Sequence, residues 1–196
     1  MTVGTILNRQ ERRRQHTREG IQQATLALLQ EIGYADLSVR AITERADIGY
    51  GTFYVHYGDK DDAVWDVIYA LAESERRKTE TELADVPYPL KEYRSWVRMF
   101  AYAHQYRDGF MQFFGPHGSA VLTARYQDYL MHIHEENLRA GRYSAGIDLP
   151  PDFLANFMAG GLMRLFQWWL ADPNAADPEE MARQLFRAIY RTEPPA

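Results

Sequence analysis

Side chains able to contact phosphates and nucleotide bases are concentrated between residues 38 and 60 of this chain. Thr52 carries a hydroxyl and a methyl group, which suit a phosphate oxygen and a thymine methyl respectively. Lys60 stands where a long helix is predicted to begin, and a lysine beside a helix N-terminus suits a phosphate. Gly51 allows close approach of a backbone, because a side chain there would collide. The candidate contacts are Ser38, Arg40, Tyr50, Gly51, Thr52, Tyr54, Val55, His56 and Lys60.

A second group of reactive side chains comprises His132, His134, Glu135 and Glu136. On a helix, His132 and His134 point about 200° apart, so they cannot chelate one metal ion together. His132 and Glu136 have i, i+4 spacing, but such a pair is ordinary on a helix surface. The chain has no cysteine, and we find no serine nucleophile elbow, phosphate-binding loop or zinc-protease spacing. We therefore expect no catalytic residue, no metal and no cofactor.

The net charge of the chain conceals an uneven distribution. Its 196 residues include 22 Lys and Arg and 27 Asp and Glu, a formal charge of −5. Residues 1–60 carry +1 and the remainder −6, while residues 1–18 hold five arginines against one glutamate, or +4. A basic segment ahead of a near-neutral unit is typical of an end that binds a polyanion. A solvated, frayed terminus is the alternative, and charge alone does not separate the two.

The segments that must position the residues 38–60 are all predicted to be helical. Apolar residues at helical spacing extend over residues 21–32, and Gly33 ends that helix. Ser38 is a suitable N-cap for a short helix through about Arg45. After a tight turn, a second short helix runs over about residues 50–57, with Phe53 as its buried anchor. Two short helices on a preceding helix form a helix-turn-helix, whose second helix exposes side chains to the DNA major groove.

The remainder of the chain is also predicted to be helical. Asp59 caps a long helix that should reach about Ala84, because two prolines interrupt the pattern beyond it. Further helices are predicted near 90–106, 109–114, 119–140, 152–170 and 178–191, with breaks at 107–108, 115–116, 141–151 and 172–177. No segment shows sustained alternation, so strands are not expected. The predicted fold is all-α: a three-helix head at 1–60 with a basic N-terminal arm, and a larger helical body at 61–196.

The stretch from Thr17 to Ala63 resembles, without gaps, the DNA-binding head of the TetR family of bacterial transcription regulators. The family pattern is a helix ending in E-x-G-Y, followed by S-V-R-x-I-A-x-x-A-G-V-S-x-G-T-x-Y-x-H-F-x-x-K. The matching residues are Glu31, Gly33, Tyr34, Ser38, Val39, Arg40, Ile42, Ala46, Ile48, Gly51, Thr52, Phe53, Tyr54, His56, Tyr57 and Lys60. The resemblance implies sequence-specific binding of double-stranded DNA by this head.

Four residues depart from the family pattern and bear on which DNA sequence is recognised. Gly49 replaces a frequent serine before the second short helix, which removes a side-chain cap worth about 1 kcal/mol at most. Tyr50 replaces a residue that is often polar, Asp47 replaces the glycine of the turn, and Val55 replaces a residue that is commonly aromatic. We expect Tyr50, followed by Thr52 and Val55, to contact the DNA within the groove.

Aromatic residues are concentrated in the body, where the resemblance implies a pocket for a small-molecule effector. Such residues more often form ordinary core, so both interpretations stay open. An aromatic-lined pocket would suit an apolar or aromatic ligand held by a few polar groups. The candidate effector-binding residues are Trp96, Arg98, Phe100, Tyr102, His104, Tyr106 and Phe110.

The last two predicted helices carry a broad apolar face, in which Gly160 and Gly161 permit close helix approach. Burial within one chain would also explain this face. The resemblance implies instead that these helices pair with their mates in the four-helix bundle of a homodimer. The candidate interface residues are Phe157, Gly161, Leu165, Trp169, Leu185 and Ile189. Such a dimer would hold two recognition helices about 34–36 Å apart, which implies a palindromic operator.

These patterns predict a homodimeric transcription regulator, specifically a repressor that a small-molecule effector releases from its operator. The alternatives are an activator, a regulator of the same architecture that senses no ligand, or a helical ligand-sequestering protein or enzyme. Arg164 and Gln167 interrupt the most apolar late segment, so we expect no membrane span. No secretory signal pattern is visible at the start of the chain. We expect a cytoplasmic protein that is not an enzyme.

Overall fold

A computed structural model describes residues 8–142, 149–172 and 174–195. Within these ranges the chain forms ten α-helices and no strand, which confirms the predicted all-α fold. The chain divides into two compact units, Met1–Ala72 and Glu73–Ala196. The helices are α1 (Arg9–Glu31), α2 (Gly33–Asp36), α3 (Val39–Arg45), α4 (Tyr50–His56), α5 (Lys60–Glu82), α6 (Leu90–Gln105), α7 (Arg107–Phe114), α8 (Ala120–Arg139), α9 (Pro151–Ala171) and α10 (Pro178–Tyr190).

Helix α1 begins well before the predicted position, because a capping box precedes the run of arginines. The Asn8 side-chain oxygen accepts hydrogen bonds from the backbone N–H groups of Gln10 and Glu11, both at 2.9 Å. The Glu11 carboxylate in turn accepts from the Asn8 N–H at 2.7 Å. These reciprocal bonds satisfy backbone donors that a helix start otherwise leaves unpaired. The arginines from Arg9 to Arg18 therefore lie on helical turns, whereas residues 1–7 of the predicted basic arm lie outside the described part of the chain.

The helix ends around the helix-turn-helix follow local backbone rules. Gly33 has a φ of +76°, a left-handed conformation that favours glycine, and α1 ends beside it as predicted. The Ser38 hydroxyl caps α3 by accepting from the Ala41 N–H at 3.2 Å. Asp47 adopts a φ of +51° in the turn, a conformation that aspartate tolerates better than most residues. Helix α2 was not predicted, because four residues carry too little periodicity to identify a helix.

The first unit encloses a core formed by α1, α3, α4 and α5. Phe53 is fully buried and is the only buried residue of α4. It therefore anchors a helix that otherwise has little contact with the interior. The buried apolar side chains of this unit are Ile21, Ala24, Leu28, Leu29, Leu37, Ile42, Phe53, Tyr57, Ala63, Val64, Val67 and Ile68.

The second unit is built around an aromatic core. The Phe100 ring centre lies 5.0 Å from that of Phe166 and 5.3 Å from that of Trp169, so these contacts join α6 to α9. Trp96 meets Phe186 edge-on at 6.1 Å, which joins α6 to α10. Aromatic pairs of this kind add about 0.5–1.5 kcal/mol each beyond the burial of their area. Helix α8 also packs on α9.

Helices α6 to α10 of the second unit each begin and end within two residues of the predicted positions. Side-chain caps explain this agreement at two of them. The Ser119 hydroxyl accepts from the Leu122 N–H at 3.2 Å at the start of α8, and Asp177 accepts from the Glu179 N–H at 2.8 Å at the start of α10. Residues 143–148 and 173, which belong to predicted breaks, lie outside the described ranges. No described helix is both long and apolar enough to cross a membrane.

Candidate DNA-binding interface

Helix α4 presents most of its side chains to solvent. Because Phe53 takes up the inward face, Tyr50, Tyr54 and Val55 all point outward and are half or more exposed, and Thr52 is exposed beside them. An α-helix with its side chains is about 10–12 Å wide, which matches the width of the DNA major groove. The outward face of α4 thus combines ring edges, a hydroxyl and methyl groups on an element of the right dimensions for reading bases.

The glycines at the start of α4 leave its first turn open. A Cβ placed on Gly51 would meet no atom of the chain within 4 Å, so its small size is not required by internal packing. Gly49 provides no side-chain cap, and its carbonyl accepts instead from the N–H groups of Thr52 and Phe53 at 3.0 and 3.2 Å. An external backbone can therefore approach this turn without steric obstruction.

Ser38 and Arg40 lie at the start of α3, the first helix of the helix-turn-helix. The Ser38 hydroxyl already caps α3, as described above. The Arg40 side chain is largely exposed and pairs with Glu44 one turn later, with Nε and Oε1 2.8 Å apart. Exposed i, i+4 ion pairs are weak, so the Arg40 guanidinium can leave Glu44 and bind a phosphate instead.

Lys60 has an internal role that its sequence position did not reveal. Its ammonium donates to the carbonyl oxygens of Tyr34 at 3.2 Å and Leu37 at 3.1 Å. It also lies 4.4 Å from the centre of the Tyr34 ring, in a cation–π arrangement. The lysine proposed from the sequence as a phosphate contact therefore joins the α2 region to the start of α5, and two of its three N–H donors are bonded within the protein.

Arginines from α1 approach the C-terminal end of α4. The pKa of His56 is lowered first by its partial burial and then by the positive charges of Arg14 and Arg18. Sequence reasoning assigned these arginines only to a general basic segment. Helical spacing was the signal that could have identified them. Arg14, Arg18 and the buried Ile21 lie at i, i+4 and i+7, so they share one face of α1.

The histidines and carboxylates near residue 134 do not assemble into a metal site. Among the described residues, no group of three or more histidine, cysteine, aspartate or glutamate side chains could hold a metal ion. His134 is buried, and burial lowers its pKa to about 4. His132 is exposed, and its Nδ1 lies 2.6 Å from the Asp128 carbonyl oxygen. The two rings thus occupy different surroundings on opposite sides of α8.

The structure does not bring the seven candidate effector residues together at one site. Trp96 and Phe100 are buried in the core of the second unit. Arg98 forms an ion pair with Glu82, and His104 is exposed. Phe110 contacts the core at Phe166, whereas Tyr102 and Tyr106 form a ring pair at 4.7 Å towards the surface. Of the seven, the two tyrosines offer hydroxyl groups outside the packed core.

Buried polar groups of the second unit escaped the sequence prediction. Glu92 is only 3% exposed, and one carboxylate oxygen accepts from the Tyr190 hydroxyl. Its other oxygen has no hydrogen-bond partner in the described part of the chain, and burial raises the pKa of this carboxyl to about 8. The signal was present, because Glu92 precedes Trp96 and Phe100 at spacings of four on α6 and so shares their inward face.

An exposed apolar stripe runs along α9. Phe157 is 72% exposed and Trp168 is 60% exposed. Phe153, one turn before Phe157, is also exposed, and so are Gly161 and Arg164, which lie at helical spacing between Phe157 and Trp168. Such a cluster of large aromatic side chains on one helix face is typical of an interaction surface.

Only some of the candidate interface residues lie on this exposed stripe. Trp169 is only 1% exposed and donates from Nε1 to the Ala176 carbonyl oxygen at 2.8 Å, so it belongs to the core and not to a free surface. One residue turns a side chain by about 100° around a helix, and Trp168 is therefore the tryptophan on the exposed face. Leu165, Leu185 and Ile189 are partly buried against the core, whereas Phe157 and Gly161 remain exposed.

Two family models match the sequence and together cover both compact units in large part. The model for bacterial regulatory proteins of the tetR family matches residues 21–63. A second, described as a transcriptional regulator C-terminal region of that family, matches residues 93–191, about half of the chain. The sequence matches no curated protein.

Solved structures of regulators share the fold. A TetR transcriptional regulator from Streptococcus agalactiae is 23% identical, with a TM-score of 0.62 over 92% of this chain and 97% of its own. The TetR-family repressor FadR from Thermus thermophilus, in complex with lauroyl-CoA, is 18% identical, with a TM-score of 0.67 over 91% and 97%. RolR in complex with resorcinol is 21% identical, with a TM-score of 0.60 over 91% and 89%. The helix-turn-helix, the helical body and both family models agree, and the chain belongs to the TetR family of bacterial transcriptional regulators.

Proposed function

We propose that this protein is a cytoplasmic transcriptional repressor that binds a specific DNA operator through α4 and leaves it when a small molecule binds the second unit. The observation that carries the proposal is the outward face of α4. Three large side chains, Tyr50, Tyr54 and Val55, are exposed on a helix of seven residues. Exposing them to water gains nothing for folding, whereas contact with base edges and sugars would bury them.

The contacts divide into two groups by chemistry. Tyr50, Thr52 and Val55 on α4 would face the base edges, and the open turn at Gly51 would let the helix approach closely. Phosphates and sugars, which position the helix but carry no sequence information, would be contacted by Ser38, Arg40, Tyr54, His56 and the arginines of α1 that precede Arg18. Lys60 has one N–H donor left for a phosphate, because its ammonium bonds to two carbonyl oxygens.

The effector proposal rests on the body of the chain and on its structural neighbours. Two neighbours of the same fold are complexes with lauroyl-CoA and with resorcinol, an acyl and an aromatic compound. An effector of this chain would be apolar or aromatic, with Tyr102 and Tyr106 as candidate hydrogen-bonding groups. To weaken DNA binding tenfold, it must favour the non-binding conformation by about 1.4 kcal/mol.

The association proposal rests on the exposed stripe of α9. A second copy of the chain, related by a two-fold axis, would cover Phe157 and Trp168 with the same residues of its own α9. Two DNA-binding units in such a homodimer would address half-sites about one helical turn apart, so the operator would be palindromic.

The test is selection of DNA from a random-sequence pool by the full-length wild-type protein. We expect enrichment of one inverted repeat, which the protein prefers over a scrambled duplex of equal length. Tyr50→Ala should reduce this preference, whereas Tyr69→Ala should not. Tyr50 is 50% exposed and Tyr69 45% exposed, and Tyr69 lies on α5, so the pair matches in chemistry and exposure. Enrichment of no sequence would refute operator binding.

The effector step has its own test. Acyl and aromatic compounds, beginning with lauroyl-CoA and resorcinol, are screened for those that raise the melting temperature of the protein. A compound that does so should also weaken binding to the selected duplex at least tenfold. If every stabilising compound leaves DNA affinity unchanged, release by an effector is wrong even though operator binding stands.

A further inference from the structure

The carboxylate of Asp66 on α5 connects three segments of the first unit. The Tyr57 hydroxyl donates to Asp66 Oδ2 at 2.6 Å, and Arg18 Nε donates to the same oxygen at 3.1 Å. A second guanidinium nitrogen of Arg18 pairs with Oδ1. The Gln22 side-chain amide donates to the Asp66 backbone carbonyl at 3.1 Å. Residues of α1 and the residue after α4 thus converge on one position of α5.

Tyr57 carries this connection to the recognition helix. It directly follows His56, the last residue of α4, and its ring is buried 5.6 Å from that of Phe53. Burial and the hydrogen bond to Asp66 raise the pKa of the Tyr57 hydroxyl, so it remains a donor at neutral pH. Phe53 alone leaves α4 free to tilt about one anchor, whereas the Tyr57–Asp66 bond supplies a second fixed point.

We propose that Asp66 is a positioning residue for DNA binding: by holding Tyr57 and Arg18 together, it sets the orientation of α4 relative to α1 and α5. The inference rests on the proposed DNA-binding function. Asp66 lies outside residues 21–63, the stretch that matches the family model of the head, and outside the resembling stretch from Thr17 to Ala63. The carboxylate is therefore not part of the matched pattern.

Electrostatics and positioning predict opposite effects for removal of this carboxylate. Asp66 is a negative charge in a unit proposed to bind a polyanion, and its loss would release Arg18 to contact a phosphate. Coulomb's law alone therefore predicts that Asp66→Asn strengthens binding to any DNA. If the carboxylate orients α4, the same substitution weakens binding to the specific sequence, because misplaced side chains no longer meet their base edges.

A charge-matched control is available on α1. Glu31 pairs with Arg45, and the carboxylate is more exposed than that of Asp66. Glu31→Gln also removes one negative charge and releases one arginine of the same unit, without touching the Tyr57 contact. Any difference between Asp66→Asn and Glu31→Gln therefore reports the geometry and not the charge.

The experiment compares dissociation constants of full-length variants for two duplexes: one selected by the wild type from a random pool, and a scrambled one of equal length. For Asp66→Asn we expect about tenfold weaker binding to the selected duplex, a size common for coupling between sites, and equal or tighter binding to the scrambled one. Glu31→Gln should bind both duplexes at least as tightly as the wild type. Titration at protein concentrations far above Kd gives the active fraction, which partial unfolding lowers without producing this change in preference.

Tyr57→Phe is the second variant, because it removes a single hydroxyl and keeps the buried ring. It should lose preference for the selected duplex several-fold. The double variant with Asp66→Ala, which leaves the Tyr57 hydroxyl no acceptor at residue 66, should lose no more than Asp66→Ala alone. An unchanged preference in both Asp66→Asn and Tyr57→Phe overturns the proposal, and Tyr57→Phe alone decides if Asp66→Asn does not fold. If the wild type enriches no sequence, operator binding itself fails and the positioning role falls with it.

Discussion

The ammonium of Lys60 lies 4.4 Å from the centre of the Tyr34 ring and donates to the Tyr34 carbonyl oxygen at 3.2 Å. Both residues belong to the family pattern recognised in the sequence, but their spacing of 26 residues gave no indication that they meet. The contact turns a lysine expected at the DNA backbone into a link within the protein.

Lys60→Met should therefore lower the free energy of unfolding and have a smaller effect on the affinity for DNA. The variant keeps the aliphatic stem but loses two hydrogen bonds from a charged donor and the cation–π contact, at a cost of about 1–3 kcal/mol. Denaturant unfolding measures this loss, and Lys78→Met, which breaks only a surface ion pair with Glu75, is the control. An unchanged unfolding midpoint, together with a slope of log K against log salt concentration that is smaller by about one, would show that Lys60 contacts a phosphate instead.

Arg14→Gln should raise the pKa of His56. The positive charge of Arg14 disfavours the imidazolium, so its removal stabilises the protonated ring. A proton NMR titration of the His56 ring measures the change, and Arg13→Gln is the control, because the adjacent position points about 100° away on α1. Equal His56 titration curves in Arg14→Gln and the wild type would place Arg14 too far from α4 to act there.

Phe157→Asp should convert the proposed homodimer to monomer. A carboxylate in place of the Phe157 ring would remove a large apolar contact from the exposed stripe of α9 and would be desolvated in the assembly, at a cost of several kcal/mol. Sedimentation at micromolar concentration gives the mass. Leu71→Asp, another exposed apolar position but on α5, should keep the mass of the wild type. A wild type that sediments as a monomer would exclude this interface.

Glu92→Gln should make the stability of the protein less dependent on pH. Burial raises the pKa of Glu92 from 4.5 to about 8 in the folded state, so the folded chain holds this proton more tightly than the unfolded chain does. The resulting stability is fully present below pH 4.5 and is lost as pH rises through about 8. Glutamine keeps an acceptor for Tyr190 without a charge, and the variant should therefore gain on the wild type between pH 5 and 9.

Unfolding midpoints at several pH values measure this gain. Glu136→Gln on the exposed side of α8 is the control and should follow the wild-type pH profile. Parallel profiles for Glu92→Gln and the wild type would mean that the buried carboxyl titrates in the ordinary range.

Local patterns were sufficient wherever a few neighbouring residues decide the structure. Ser38, Gly33 and Phe53 identified the ends and the anchor of the helix-turn-helix, because caps, left-handed turns and buried faces depend on backbone geometry within one or two turns. Local patterns also contained signals that were overlooked, as at the Asn8 capping box and at Glu92. Helical phase was the weakest inference: the broad apolar face of α9 suggested Trp169 for association, and only packing against Phe100 and Phe166 showed that Trp168 is the exposed one.

The sequence by itself determined that this chain is helical, that its head contains a helix-turn-helix and that it belongs among bacterial transcription regulators. The tertiary structure decided which polar side chains form hydrogen bonds and ion pairs within the protein and which are exposed to a partner. Lys60 is committed to Tyr34 and Leu37, and Asp66 to Tyr57 and Arg18, while Tyr50 and Tyr54 remain exposed. The physical reason is that hydrogen bonds and ion pairs between distant segments depend on how helices pack, and packing brings together residues whose separation along the chain carries no pattern.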